Sequence, residues 1–341
     1  MASCTVTPLL AGSCNGPFIL TDSPRSSMLL DVLSSPEKLN LPLPLTDEPQ
    51  RRRSLDYASN VAPETLIKLD WMLSHLTQKE LETAANASYE YLQDPDAYEA
   101  TLYARQIALR YLRSKKGNAE LALRKLQTTL AFREQVDMDG LRQAFDESPW
   151  SSSNPYRAPL EQYLSSGKNY VRCYDREGRS THIFVPRKTV HHHDEWTLKE
   201  TYYTMERAIA CSQAKDSSVN AILDFAGFNP VRNAPPMSLG KTFVLTMRQH
   251  FAGHIHKIFI VDAPSSFAFL WKIFQPFLGK ATQDKIVFVS GTKQKEKILG
   301  AYYEPHQATT WMLPDTGLQT KEFDVQEYLY KTPFNQAFDE R

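Results

Sequence analysis

The sequence predicts an α/β protein, with a helical N-terminal lobe followed by a largely parallel β-sheet flanked by helices. Two observations carry that reading. Ala104, Ile107, Ala108, Tyr111 and Leu112 recur at the spacing of one helix face, and Ala119, Ala122, Leu123, Leu126 and Leu130 repeat it. Further on, short β-rich runs appear at "THIFV", "NAILDFA", "KIFIVDA" and "KIVFVS". The later runs are separated by helical stretches of about twenty residues, which suits crossovers between parallel strands. At 341 residues and 42% hydrophobic content the chain has room for about two domains with a proper core.

Residues 1–60 are rich in Ser, Pro and Leu without a helical or strand period, and read as a disordered tail. The first 21 residues carry no charged side chain, but Pro8, Gly12, Gly16 and Pro17 interrupt them and no basic n-region precedes an apolar core, so they do not read as a secretory signal. "RRRS" (Arg51–Ser54) reads as a solvated charge run. A helical pattern starts at Pro63. Thr77 and Glu80 have capping-box spacing, and Gly117-Asn118 ends one helix and caps the next. Residues 61–145 are therefore expected to form a small all-helical unit.

The formal charge is zero, so bulk electrostatics favour neither nucleic acid nor a membrane, and any basic site must be local. Cys4, Cys14, Cys173 and Cys211 form no C-x-x-C pair, the usage of a reducing compartment. No uncharged apolar run reaches the ~20 residues a bilayer span requires, and a soluble protein is expected. "HHH" at 191–193 lacks the cysteine or carboxylate spacing of a metal site, and no metal is expected. Asp224, Asp262 and Ser290 stand at strand ends, but no Gly-x-Ser-x-Gly elbow accompanies them, so catalysis is not expected.

"PPMSLGKT" (235–242) ends as a nucleotide-binding phosphate loop ends. The first glycine of that pattern would fall at Pro235, and Pro235 and Pro236 lack the N–H groups a phosphate cradle needs. The stretch reads instead as a loop that starts a helix near Ser238, with no nucleotide bound. "SSFAFLWKIFQPFL" (265–278) is apolar almost all round a helix, which implies either full burial or contact with lipid.

Five blocks in order resemble the CRAL-TRIO lipid-binding proteins, which include the fungal phosphatidylinositol/phosphatidylcholine transfer proteins and the retinaldehyde and tocopherol carriers. They are "ALRYLRSKKGNAELALRKLQTTLAFR", "DREGR", "ILDFAG", "IFIVDAPSSF" and "PFLGKATQDKI", and the resemblance they carry covers roughly residues 103–318. The resemblance implies an apolar lipid cavity between sheet and helices, covered by a helical gate at 265–283. It divides the chain into a tail (1–60), a helical N-lobe (61–145), a lipid-binding domain (146–318) and a C-terminal extension (319–341).

The resemblance also implies roles for particular residues. Lys115, Lys116 and Lys285 stand where phosphatidylinositol-binding members hold the headgroup phosphate. Gly253 replaces their acidic partner. His182, Val219 and Ala221 replace the polar residues that read choline lipids; with Leu223 they are expected to line the cavity. Phe267, Leu270, Trp271, Phe274 and Phe277 are expected on the gate. His254 and His256 occupy the place of a membrane-facing basic patch, which mild acidification is expected to charge. The implied function is non-enzymatic binding and transfer or presentation of a lipid, foremost phosphatidylinositol or a phosphoinositide, with an apolar isoprenoid or a residual scaffold pocket as the alternatives. No cofactor beyond bound lipid is expected. The expected setting is a cytoplasmic monomer in transient, reversible contact with anionic membranes, without nucleic acid.

Overall fold

A computed structural model describes residues 60–96, 99–146, 153–189, 194–319 and 322–338. These belong to one compact unit, Asp47–Arg341. The tail through residue 59 and the 191–193 histidines lie outside the described residues.

The first four helices of eight or more residues are α1 (Pro63–Ser74), α2 (Gln78–Asn86), α3 (Ala100–Ser114) and α4 (Ala119–Gln135). Local chemistry sets their ends. Thr77 and Glu80 cap α2 reciprocally: the Glu80 N–H donates to Thr77 Oγ1 at 3.2 Å, and the Thr77 N–H to Glu80 Oε2 at 2.8 Å. Asn118 caps α4 by accepting from the Leu121 N–H at 2.9 Å. Between α3 and α4 the chain turns through left-handed Lys116 and Gly117. Ala104, Ile107, Ala108, Tyr111 and Leu112 of α3 pack with Ala122, Leu123, Leu126 and Leu130 of α4 in one core, as their periodicity predicts.

Helix α5 (Arg157–Leu164) leads into a five-stranded sheet of order β1-β2-β3-β4-β5. Its strands are β1 (Asn169–Tyr174), β2 (Ser180–Phe184), β3 (Val219–Asp224), β4 (Ile255–Val261) and β5 (Ile286–Val289). Strands β2 to β5 pair in parallel, through crossovers carrying α6 (Asp194–Cys211), α7 (Met237–His250) and α8 (Phe267–Phe274). Helix α9 (Gly291–Ile298) follows β5. β1 pairs with β2 antiparallel across the "DREGR" turn, and the sequence pattern did not reveal it. Its reason is physical: polar Asn169 and Arg172 are both buried there, and a bulge at Cys173 (φ 44°) breaks the alternation.

Helix α6 lies over β1 and β2, where Ser180 Oγ donates to the Ala208 carbonyl at 2.5 Å. Alternation puts Thr181 on the opposite face, donating to the Tyr303 hydroxyl at 3.0 Å. The C-terminal segment belongs to the same core. Tyr328 and Phe338 are buried in it, and the Phe338 N–H donates to the Val171 carbonyl at 2.9 Å along the outer edge of β1.

Candidate functional site

The register places Ala221 of β3 between His182 and Ile258, and Leu223 between Phe184 and Ile260; Ile258 in turn pairs with Ile286. Leu223, Ile258, Ile260 and Ile286 meet Phe225 and Phe228 in one apolar cluster, closed over by Phe267, Leu270 and Trp271 of α8. The Phe267 ring lies 4.5 Å from Phe225, and Trp271 lies 5.4 Å from Phe288. Val219 packs elsewhere, in the main core with Tyr202, Phe251 and Ile255.

Helix α8 contributes no buried residue, and Phe269 is 70% exposed. Its all-round apolarity is therefore not that of a core helix: one side covers the sheet cluster and the other faces outward. Helix α7 holds the far end of the same segment. Lys241 Nζ lies 5.1 Å from the centre of the Phe277 ring, and Arg248 Nη1 donates to the Phe277 carbonyl at 3.2 Å. A Cβ on Gly240 would stand 2.5 Å from Phe274 Cζ, so the glycine admits that ring. The "SLGKT" stretch thus lies inside a helix, with the Gly240 N–H donated to the Pro236 carbonyl at 3.0 Å.

His182 sits beside the apolar face and is only 6% exposed. Asn169 spends its amide N–H on Glu200 at 2.9 Å, so its oxygen accepts from His182 Nε2 at 3.2 Å. The proton is thereby assigned to Nε2, which leaves Nδ1 an acceptor. Burial pushes the His182 pKa down to about 4.

The three predicted headgroup lysines have different surroundings. Lys116 is exposed on a groove of about 470 Å³ lined also by Lys68, Arg113 and Thr65. Lys285 Nζ donates to the Ile255 carbonyl, and burial lowers its pKa against the pull of Asp216. Lys115, half-buried at the end of α3, belongs to a cation group the sequence reading missed. Lys125 Nζ donates to the Arg248 carbonyl at 3.2 Å and lies 5.6 Å from the centre of the Tyr111 ring. Burial, with the charges of Lys115 and Arg248, pushes the Lys125 pKa down to about 8. Among the described residues no carboxylate forms an ion pair with these three. The one sequence signal was Lys125 flanking the apolar stripe of α4; the pairing with Arg248, 123 positions away, is tertiary.

The histidine patch differs from expectation. His254 turns its ring toward the Ser217 carbonyl at 3.5 Å, and burial, reinforced by Arg110, holds its pKa well below the usual value. Burial and then Arg179 lower that of His256. Both shifts oppose charging of the patch by mild acidification, because the rings are partly withdrawn from water beside fixed guanidinium charges. Gly253 is left-handed (φ 79°), and its carbonyl accepts from Arg110 at 3.4 Å. The strand-end acids are engaged in ion pairs: Asp224 with Arg187 at 2.5 Å, and Asp262 with Lys295 at 2.6 Å. Among the described residues there is no cluster of three or more His, Cys, Asp or Glu arranged to hold a metal, and no helix long and apolar enough to cross a membrane.

Residues 164–309 match the CRAL/TRIO domain family. The phosphatidylinositol transfer protein PDR17 of Saccharomyces cerevisiae is 24% identical over 214 residues, covering 61% of this chain and 58% of that protein. The phosphatidylinositol/phosphatidylcholine transfer protein SFH11 of Arabidopsis thaliana is 28% identical over 171 residues, 45% of each chain. The chain thus spans about half the length of these relatives. The crystal structure of Sfh5 superposes with a TM-score of 0.56 at 10% identity, over 80% of this chain and 95% of that one; this likeness concerns the fold alone.

Proposed function

Since residues 164–309 of this chain are a CRAL/TRIO domain, we propose that it binds a lipid in the apolar space under α8 and carries it between membranes or presents it there, without catalysing a reaction. The observation that carries this reading is α8 itself: an apolar helix with no buried residue, lying on an apolar sheet face. Such a helix opens without breaking a core, and its exposed Phe269 meets a bilayer at little cost. Burying an acyl chain is worth about 0.8 kcal/mol per CH₂, but a bilayer offers nearly the same, so headgroup contacts decide which lipid is held. Lys115, Lys125 and Arg248, close to the end of the covering segment, favour an anionic headgroup, and phosphatidylinositol or a phosphoinositide is the foremost ligand. The protein works in the cytoplasm, in brief contact with anionic membrane surfaces.

A second reading has its own support. The bare Nδ1 of His182 is a hydrogen-bond acceptor beside an apolar wall, which suits a lipid whose polar end is a single hydroxyl, such as an isoprenoid alcohol or phenol.

Mass spectrometry of lipids retained on the purified protein, with vesicle-to-vesicle transfer of labelled phosphatidylinositol and phosphatidylcholine, separates the two. Phosphatidylinositol should move well and phosphatidylcholine poorly. Lys125→Gln with Arg248→Gln should reduce phosphatidylinositol transfer by tenfold or more, since each charge-assisted hydrogen bond is worth about 1.5–3 kcal/mol. Retention of a hydroxyl isoprenoid, with transfer indifferent to both substitutions, supports the second reading.

A further inference from the structure

Helix α7 meets the covering segment through three of its residues. Gly240 lies in the first turns of α7, and a Cβ there would fall 2.5 Å from Phe274 Cζ and 2.7 Å from Cε1. The ring of Phe274 therefore occupies the space a side chain at 240 would fill. One residue on, the Lys241 ammonium covers the face of Phe277 at 5.1 Å. Two turns further, Arg248 fixes the Phe277 carbonyl at 3.2 Å. Nothing in helix formation requires a glycine at 240: it is not left-handed, and alanine is a better helix former there. The glycine is explained by the ring it admits.

We infer that α7 is the latch of the covering segment: Gly240 is the socket for Phe274, while Lys241 and Arg248 clasp Phe277. The inference rests on the reading of Phe267–Phe277 as the part that opens. The nucleotide-like "GKT" ending is thereby accounted for in two of its three residues, each turned to the gate. The clash from a residue larger than glycine falls on the far end of a rotatable side chain, not on backbone, so the ring leaves its socket while α7 stays intact.

The test is hydrogen–deuterium exchange of the full chain, without added lipid, for wild type, Gly240→Ala, Phe274→Ala and the double variant. A latch predicts that Gly240→Ala speeds amide exchange in residues 267–278 several-fold, while residues 219–224 of β3 keep their protection. Phe274→Ala should do the same, and the double variant should exceed neither single one by more than twofold, because both empty one socket. Unchanged exchange in 267–278 overturns the proposal. So does an equal loss of protection in β3, which would make Gly240 a residue of the fold and not of the gate. Lipid transfer is measured separately: a wild type that moves no lipid yet shows this exchange pattern loses the transfer function and keeps the latch.

Discussion

Single residues in this protein are tuned by what surrounds them more than by their type. His182 and His250 are both held neutral, with pKa values pushed down to about 4: burial does this to His182, and burial with the nearby Lys125 charge does it to His250. His250 also stacks on Phe132 with ring centres 3.9 Å apart. The unfolded chain takes up these protons near pH 6.5, before the folded one does. Their contribution to stability is thus complete above pH 6.5 and is lost as pH falls from there toward 4. For His182 alone the loss between pH 7 and pH 5 is about 2 kcal/mol. Urea denaturation at the two pH values should show the decline, and His182→Asn should remove much of it. The titrating role expected of His254 and His256 comes from the resemblance, which puts a membrane-facing basic patch at their positions, together with the unperturbed histidine pKa. Neither reveals Arg110 and Arg179 beside them, which arrive from distant segments.

At the scale of elements, what the sequence disclosed depends on how local the cause is. The capping box of α2 and the apolar stripes of α3 and α4 are set within a few residues, and all appear as the pattern predicts. The four strands of the parallel sheet were legible from their β-branched runs. β1 was not, because its buried Asn169 and Arg172 are stabilised by partners elsewhere in the chain. For α8, composition disclosed that the helix is apolar but not which side meets protein. In the fold Phe267 packs on Phe225, whereas Phe269 points outward. That separation is testable. Phe269→Ser should change folding stability by less than about 0.5 kcal/mol, as a surface substitution does, yet lower partitioning onto anionic vesicles about tenfold. Phe267→Ala, which removes a partly buried ring packed on Phe225, should cost about 1 kcal/mol, more than the Phe269 change but less than a core truncation. Thermal melts and vesicle co-sedimentation of the two variants, run in parallel, check both outcomes.

Across the whole molecule, the helical lobe and the sheet are joined by buried charge. Arg133 of α4 makes a bidentate pair with Glu206 of α6, at 2.8 and 3.1 Å, and Arg142 approaches the same carboxylate at 3.4 Å. All three are buried, so Glu206→Gln leaves the two guanidinium groups with only the half-buried Asp139, 3.7 Å from Arg133 and 3.3 Å from Arg142, as counter-charge. A loss of about 3–5 kcal/mol is expected, read as a lower midpoint in a single denaturation transition, since lobe and sheet share the network. The C-terminal segment closes the molecule from the other side, where Phe338 binds the free edge of β1. This closure has a consequence for how the protein is made. Strand β1 leaves the ribosome roughly 170 residues before Phe338 does, an interval on the order of ten to thirty seconds at ~5–20 residues per second. Throughout it, the nascent chain displays an unpaired strand edge to its neighbours on the polysome. The outer edge of β1 therefore gains its Phe338 bridge only after the rest of the sheet has been synthesised, so this edge is the last of the sheet to be covered.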